Sequence, residues 1–170
     1  AGHDSSQATM MSEAIILVDE NDVVIGSDSK YNAHIGKGLL HRAFSVLLFD
    51  NSGKLLLQRR ALDKITFPGV WANSCCSHPL HSQSEMDDES DAGVIRAAIR
   101  KLGQELGIDS GQIPFEKFKP VGRFQYLARM NDEWIEHELD HVVIIQADVD
   151  VTINKNEVHE ICWVSRDDFE

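Results

Sequence analysis

The stretch WANSCCSHPL, residues 71–80, holds a thiol at Cys76 and an imidazole at His78. Pro79 disfavours helical geometry in the residue before it, so His78 is expected to be extended. Side chains at i and i+2 of an extended segment point to the same face, so the thiol and the imidazole should share a surface. That arrangement is typical of an active-site segment that supplies both a reactive thiol and a metal ligand. Taken alone, the stretch fits a buried free cysteine beside a hydrogen-bonded histidine better.

Other candidate metal ligands are spread along the chain. His34 lies among glycines and is expected on a loop, and His41 opens the strand that follows. Glu136 and Glu138 lie two apart on a predicted strand, so both carboxylates should project from one face. Two ionised carboxylates on one face repel each other unless a cation or a proton lies between them. With His78, these nitrogen and oxygen donors predict Mn or Mg, with Zn as a further candidate.

The elements that must position these residues are strands interrupted by one long helix. Predicted strands, the first two of them a hairpin, cover Ala14–Val18, Val23–Ser27, Leu39–Phe49, Lys54–Arg60, Phe118–Met130, Trp134–Asp148 and Ile161–Val164. Apolar residues recur at helical spacing from Val94 to Leu106, and Gly107 supplies the stop. Glu105 falls outside the main apolar stripe of this helix, and the acidic run Glu85–Asp91 is expected to be a solvated loop. The pattern predicts an α+β fold with mixed β-sheets packed against a long amphipathic helix.

Composition narrows the range of partners. A length of 170 residues fits one domain, and a net charge of −12 argues against nucleic acid and anionic membranes. An anionic small substrate would therefore need local cations or a metal. Three cysteines, two of them adjacent, indicate free thiols and a reducing compartment. No apolar run approaches the roughly 20 residues of a membrane span.

The two ends of the chain are expected to differ from its middle. Residues 1–12 are interpreted as a flexible N-terminal segment, either a cloning remnant or a processed end, and residues 13–170 as the domain. Ser165 begins a helix-like pattern with an N-cap serine, yet the chain stops at Glu170. We therefore expect the natural protein to continue beyond this point.

Three segments carry a family resemblance: LLHRAFSVLLF (39–49), ITFPGVWANSCCSHPL (65–80) and EHELD (136–140). They resemble type 1 isopentenyl-diphosphate delta-isomerase, which has the Nudix fold, and the similarity runs from about Ile15 to Phe169. The resemblance implies interconversion of isopentenyl and dimethylallyl diphosphate in isoprenoid biosynthesis. Protonation of one carbon and deprotonation of another, through a tertiary carbocation, would require a placed acid, a placed base and exclusion of water.

The resemblance also implies a role for individual residues. Cys76 would act on one face of the substrate and Glu138 on the other, with Tyr126 assisting Glu138. The metal would be held by His34, His41, His78, Glu136 and Glu138. Glu105 would reach a second Mg that arrives with the diphosphate. The diphosphate itself would contact Lys30, Arg60, Lys64 and Ser77.

Two departures keep other functions open. Nudix hydrolases carry arginine-glutamate-aliphatic-any-glutamate-glutamate-any-glycine on their helix, where this chain has RKLGQELG (100–107), so that only Glu105 of the three glutamates remains. In the family, a segment beyond this chain's end carries a tryptophan facing the substrate, and Trp71, Trp134 and Trp163 fall at other positions. A Nudix-type diphosphate hydrolase and a non-catalytic diphosphate-binding module are the alternatives.

The expected partner is a small prenyl diphosphate, with neither nucleic acid nor membrane, and the oligomeric state is left open. The expected compartment is the cytoplasm, with peroxisome and plastid as alternatives.

Overall fold

The computed structural model of the chain describes residues 5–169. It contains three α-helices: α1 (Ser5–Met11), α2 (Lys30–Ala33) and α3 (Ala92–Leu106). The strands are β1 (Ala14–Val18), β2 (Val24–Ser29), β3 (His41–Phe49), β4 (Leu55–Arg60), β5 (Trp71–Ala72), β6 (Cys75–Ser77), β7 (Lys119–Arg129), β8 (Ile135–Gln146) and β9 (Val158–Val164). Short 3₁₀ turns cover Glu89–Asp91, Ser110–Gln112, Phe115–Lys117 and Arg166–Phe169.

Strand β3 organises the sheet. It pairs in parallel with β8 along its whole length and antiparallel with β1, β4 and β6. Its residues are almost continuously buried, as expected for a strand covered on both faces. The mixture of one parallel pairing with antiparallel pairings, together with the long helix, confirms the predicted α+β class.

Helix α3 covers the main core. Its apolar residues, including Val94, Leu102 and Leu106, pack with Phe44 and Val143 of the central strands. The helix ends at Gly107, which adopts the left-handed conformation and donates its N–H to Gly103 O. The predicted helix and its glycine stop are therefore confirmed, with a start two residues earlier than predicted.

Two local features were not anticipated from the sequence. Within the segment that precedes residue 13, Ser5–Met11 is helical, and Gln7 and Met11 are buried. A single helical turn, Lys30–Ala33, begins after Ser29, which accepts a hydrogen bond from Asn32 N as its N-cap. His34 lies in the turn that follows, as predicted.

The acidic run is only partly solvated. Glu85 is buried, because both of its carboxylate oxygens accept hydrogen bonds from the Arg100 guanidinium, at 2.6 and 2.9 Å. Glu105 is also buried, although the helical wheel places it outside the apolar stripe. A polar cavity covers that side of the helix instead of solvent.

Other differences concern the sheet and the end of the chain. Strand β4 contacts β3 in register only at Leu55 and pairs mainly with β9. Cys162 of β9 is half-buried. At the C-terminal turn, Asp168 accepts hydrogen bonds from the backbone N–H and hydroxyl of Ser165. Within the described residues, no helix combines the length and apolarity that crossing a membrane requires.

Glycines on α3 allow a matched test of the packing. A Cβ at Gly93 would lie 2.2 Å from Glu85 O, whereas a Cβ at Gly103 would have no neighbour closer than 3.6 Å. We expect Gly93→Ala to lower the free energy of unfolding by about 3 kcal/mol, because the loop backbone must move. Gly103→Ala should be neutral or stabilise by up to about 1 kcal/mol. Urea denaturation followed by circular dichroism measures both, and equal stabilities would contradict the close approach of this loop to the helix.

Candidate active site

One cavity of about 190 Å³ collects the predicted site residues. Those that line it are Lys30, His34, Arg60, Lys64, Cys76, Ser77, His78, Glu105, Tyr126, Glu136 and Glu138. His41 lies behind this wall, fully buried, and contacts Glu138 from below. The structure therefore brings together residues from several strands, from α2 and from α3.

Three imidazoles converge on one carboxylate oxygen. The Nε2 atoms of His78, His41 and His34 lie 2.8, 3.3 and 3.7 Å from Glu138 Oε1. The parallel register places His41 of β3 directly beside Glu138 of β8. One ligand atom from each of these four residues lies within 4.8 Å of the others. This spacing is compatible with a single ion bound by all four.

Backbone carbonyls set the tautomers of two of these histidines. The Nδ1 atoms of His34 and His41 each lie 2.7 Å from a carbonyl oxygen, that of Lys30 and that of Leu39. Because a carbonyl only accepts, each Nδ1 must carry the proton and donate it. The neutral ring then presents the lone pair of Nε2, the form in which histidine binds a metal.

Electrostatics also fit a bound cation. Burial lowers the pKa of His34 and holds that of His78 well below its usual range, so both rings favour the neutral state. Burial works against ionisation of Glu138, but the surrounding histidines outweigh it and hold the pKa of that carboxyl low. Among the described residues, His41 Nε2 has no hydrogen-bond partner. Lone pairs that face a carboxylate need a cation or protons between them, so the cluster fits a divalent metal.

Glu136 stands apart from this cluster. Its side chain lines the cavity, and its Oε2 accepts a hydrogen bond of 3.2 Å from Tyr126. Burial, followed by the charge of Glu138, raises the pKa of Glu136 to about 7. The predicted shared face of Glu136 and Glu138 is confirmed, since Tyr126 reaches both carboxylates. The assignment of Glu136 as a metal ligand stays a prediction.

Tyr126 donates a hydrogen bond of 2.5 Å to Glu138 Oε2. The cross-strand register of β7 and β8 sets this contact, because the two residues face each other directly. Burial and the charges of Glu138 and Glu136 raise the pKa of Tyr126 above its usual range. The phenol therefore keeps its proton at neutral pH and holds it against the carboxylate.

Cys76 has a polar partner behind it. Its Sγ lies 3.6 Å from the hydroxyl of Ser45, which donates to Asp140 Oδ2 at 2.7 Å. Burial raises the pKa of the Cys76 thiol to about 12, so the sulfur is protonated at neutral pH. Cys75 is fully buried, with its thiol 3.5 Å from Glu105.

The cationic end of the cavity is formed by Lys30, Arg60, Lys64 and Lys101. These basic groups interact electrostatically with one another and with Glu105. Burial opposes ionisation of Glu105, but Lys101 and Lys64 overcome it and lower its pKa to about 2. This end of the cavity therefore combines a permanent carboxylate with a surplus of positive charge, which suits an anion accompanied by a metal ion.

Arg60 has a second task besides lining the cavity. Its guanidinium donates to the carbonyl oxygens of Thr66 and Phe67, at 2.8 and 3.0 Å. Phe67 lies in the left-handed region with φ of 48°, and its N–H donates to Met130 Sδ at 2.9 Å. A non-glycine residue in this conformation persists only where its surroundings hold it. Arg60 therefore also shapes the loop that forms one wall of the cavity.

Comparison with known proteins identifies the family. A family model of the NUDIX domain matches residues 39–170. The chain is 51% identical over 97% of its length to the isopentenyl-diphosphate delta-isomerase of Gibberella zeae, of which it covers 68%. It is 49% identical over 98% of its length to isopentenyl-diphosphate delta-isomerase I of Camptotheca acuminata, covering 74% of that protein.

The chain belongs to the isopentenyl-diphosphate delta-isomerase family, within the Nudix fold.

A chloroplastic family member from Cannabis sativa is 49% identical over 99% of this chain, which spans 61% of that relative. The chain thus spans about three fifths to three quarters of the length of these isomerase family members. Solved structures support the fold alone. A Deinococcus radiodurans protein, 17% identical, superposes with a TM-score of 0.62 over 92% of this chain and 86% of its own. A Burkholderia pseudomallei MutT NUDIX hydrolase, 18% identical, gives 0.55 over 76% and 85%.

Sequence reasoning missed three residues that shape the site of this isomerase family member. Lys101 precedes Glu105 by one helical turn and lies 3.3 Å from it, a spacing that was visible in the sequence. Asp140 follows Glu138 by two strand positions and shares its face, which was also visible. Ser45 carried no local signal, because its role comes from the pairing of β3 with β6 and β8.

The convergence on Glu138 generates a metal-binding prediction. We expect His41→Gln to weaken retention of a divalent metal by more than the roughly 10–100-fold that loss of a supporting partner costs. His159→Ala, an exposed histidine on β9, is the matched control and should retain the metal. Elemental analysis after dialysis measures the content, and thermal melting with and without a chelator reports the linked stability. Equal metal content in both variants would contradict the ligand set.

Proposed function

We propose that this chain interconverts isopentenyl and dimethylallyl diphosphate. The observation that carries the proposal is that one cavity collects both acid–base groups and a cluster of cations. A thiol that holds its proton, an ionised carboxylate with its phenol, and four basic side chains all line it. Names of relatives at about half identity supply the substrate class.

The acid and base chemistry follows from the protonation states. An unactivated alkene is a weak base, so one carbon must receive a proton from a well-placed donor while its neighbour loses one. Cys76 carries a proton at neutral pH, and Glu138 is free to accept one, with the Tyr126 hydroxyl on its other oxygen. Because the reaction is reversible, each group donates in one direction and accepts in the other. The substrate gains one proton and loses one, so substrate and product carry the same number of hydrogens.

A divalent ion bound by His34, His41, His78 and Glu138 would favour the charged form of the carboxylate and fix its orientation. We propose Mn, Mg or Zn for this position, with Glu136 as a further ligand. A second ion, Mg, would accompany the diphosphate and contact Glu105. His41, held by Leu39 O from behind, keeps its ring in place whether or not the ion is bound.

The cationic end is proposed to bind the diphosphate. The predicted diphosphate contacts are Lys30, Arg60, Lys64 and Ser77, all of which line the cavity. Lys101 lines the same cavity and is a further candidate contact. Arginine offers a planar fork to phosphate oxygens, while lysine acts as a compact charge. Anchoring the diphosphate here would place the short hydrocarbon part toward Cys76 and Tyr126, away from bulk water.

Two alternative functions have less support. A Nudix-type hydrolase requires clustered carboxylates on the helix, and this chain retains only Glu105 of the three. A non-catalytic binding module would not need a protonated thiol opposite a carboxylate and phenol. We propose a small prenyl diphosphate as partner, and a reducing compartment such as the cytoplasm, with plastid and peroxisome as alternatives. The three cysteines are free, and some relatives are named chloroplastic.

Proton and phosphorus NMR of isopentenyl diphosphate with the protein and Mg in deuterated water tests the proposal. Dimethylallyl diphosphate with incorporated deuterium is the expected product, because the donated proton exchanges with solvent. Release of phosphate or pyrophosphate would support the hydrolase and overturn the isomerase. No reaction despite tight diphosphate binding would instead favour the binding module.

Cys76→Ala is expected to lower kcat by at least about 100-fold, the size of a general acid or base contribution. Metal content and the unfolding midpoint should be unchanged, because the thiol is outside the histidine cluster. Cys162→Ala, which removes the half-buried cysteine of β9, should turn over like the wild type. Turnover by Cys76→Ala at the wild-type rate would show that the thiol takes no part in proton transfer.

Lys30 generates a pH prediction. Its ammonium lies deep in the cavity, where burial and then the charges of Lys64, Lys101 and Arg60 lower its pKa to about 7. A bound anion favours the charged form, so binding must be accompanied by protonation of Lys30 above pH 7. Affinity for pyrophosphate should therefore fall as pH rises from 7 to 9, by at most about tenfold per pH unit.

Isothermal titration at several pH values measures this effect. The ligand's own titration is common to all variants, so Lys30→Met is the control and should show a flatter profile than the wild type. Identical profiles for the two proteins would show that Lys30 does not change protonation on binding.

A further inference from the structure

Lys64 is held by a carboxylate that does not line the cavity. Its ammonium contacts Glu157 Oε2, and both side chains are buried. Glu157 lies just before β9, where Ala61 N donates to its backbone oxygen at 3.0 Å. Lys64 therefore lines the cationic end of the cavity while its position is set by a residue behind that wall.

The second oxygen of this carboxylate is held by the N-terminal helix. Gln7 Nε2 donates to Glu157 Oε1 at 2.9 Å and to Asn156 O at 3.0 Å. The Gln7 side chain is buried, although helix α1 is only seven residues long. Both hydrogens of its amide are thus used on the segment that presents Glu157 to Lys64.

We propose that Gln7 and Glu157 are positioning residues that hold Lys64 ready for the diphosphate. This inference rests on the proposed diphosphate site and extends it to the N-terminal helix. The N-terminal helix thereby becomes part of the substrate-binding machinery, through one buried amide and one buried carboxylate.

Charge explains why Lys64 needs a positioning residue. Lys30, Arg60 and Lys101 line the same end of the cavity, and their repulsion favours rotation of a flexible lysine away from them. Glu157 opposes that rotation. With Glu105 as the other carboxylate, four basic groups face two acidic ones, which leaves a surplus of positive charge for a diphosphate.

Gln7 is the better position for a test, because it is uncharged. Substituting Glu157 would change both the position of Lys64 and the local charge, and these two changes act on anion affinity in opposite directions. Gln7→Met keeps the length and apolar stem of the side chain and removes only the two hydrogen bonds. Any loss of affinity then reports on position.

The experiment is a double-mutant cycle on the affinity for inorganic pyrophosphate, measured by isothermal titration in Mg-containing buffer. The proteins are the wild type, Gln7→Met, Lys64→Met and the double variant. We expect Gln7→Met to weaken binding about three- to tenfold when Lys64 is present. This is the range for one hydrogen bond, here the one that Gln7 donates to the carboxylate of Glu157. In the Lys64→Met background the same change should alter binding by less than about twofold.

Thr9→Ala, an exposed position on the same helix, is the control and should bind like the wild type. In steady-state kinetics with isopentenyl diphosphate, Gln7→Met should raise KM and leave kcat unchanged. An equal effect of Gln7→Met in both backgrounds would show a general structural role and overturn the proposal, as would no effect at all.

The outcomes separate this proposal from the proposed function. Coupling between Gln7 and Lys64 without any isomerase activity would leave the positioning role intact and remove the catalytic proposal. Isomerase activity without coupling between Gln7 and Lys64 would support the catalytic proposal and overturn the positioning role. Absence of pyrophosphate binding in the wild type would overturn the diphosphate site and the positioning role together.

Discussion

A buried carboxylate surrounded by three imidazoles is the constraint on which the rest of this structure depends. Glu138 is almost fully buried, and the Nε2 atoms of three histidines point at one of its oxygens. Neutral imidazoles that face a carboxylate with their lone pairs repel it, so the arrangement is stable only with a cation or protons in the centre. The fold must therefore hold residues from four distant segments against their mutual repulsion until the ion is bound.

The parallel pairing of β3 with β8 provides that rigidity. It places His41 and Ser45 of one strand on the same face as Glu138 and Asp140 of the other. The opposite face of the same two strands carries an ionic network centred on Asp22, which contacts Arg42 at 2.8 Å and His141 at 2.7 Å. Arg42 also contacts Asp88 at 2.7 Å, and His141 contacts Asp91 at 2.8 Å. Residues adjacent to the ligands are thus tied to the β1–β2 turn and to the start of α3, which limits movement of the ligands themselves.

Patterns within single segments predicted much of this molecule. The alternation of β8 correctly placed Glu136 and Glu138 on one face, and the apolar spacing of α3 located the helix to within two residues at its start. These features depend on neighbours in the chain, which a sequence displays directly. Nearly all of the site residues that the family resemblance named line one cavity in the structure. Their individual roles stay predictions.

Features that depend on distant segments were not predictable in this way. Gln7 lies in a short polar stretch without periodicity, and its burial arises from Glu157, 150 residues away. Glu105 was correctly placed outside the apolar stripe of its helix, but its burial in a polar cavity depends on residues of other segments. Ser45 resembles any strand serine until the register brings Cys76 and Asp140 to either side of its hydroxyl.

The helix α3 shows how a metal-binding surface becomes an anion-binding one. In the Nudix hydrolase pattern, glutamates occupy the positions of Lys101 and Gln104 as well as that of Glu105. Here Lys101 lies 3.3 Å from Glu105, so the pair that faces the cavity is neutral where the hydrolase pattern would place several negative charges. Clustered carboxylates attract several cations, and those cations are needed to activate water against a phosphorus atom. Under the proposed function, a lysine at this position would attract the diphosphate itself and leave one carboxylate for one accompanying ion. Retention of the diphosphate, with chemistry at the carbon atoms instead of phosphorus, would then follow from the same difference.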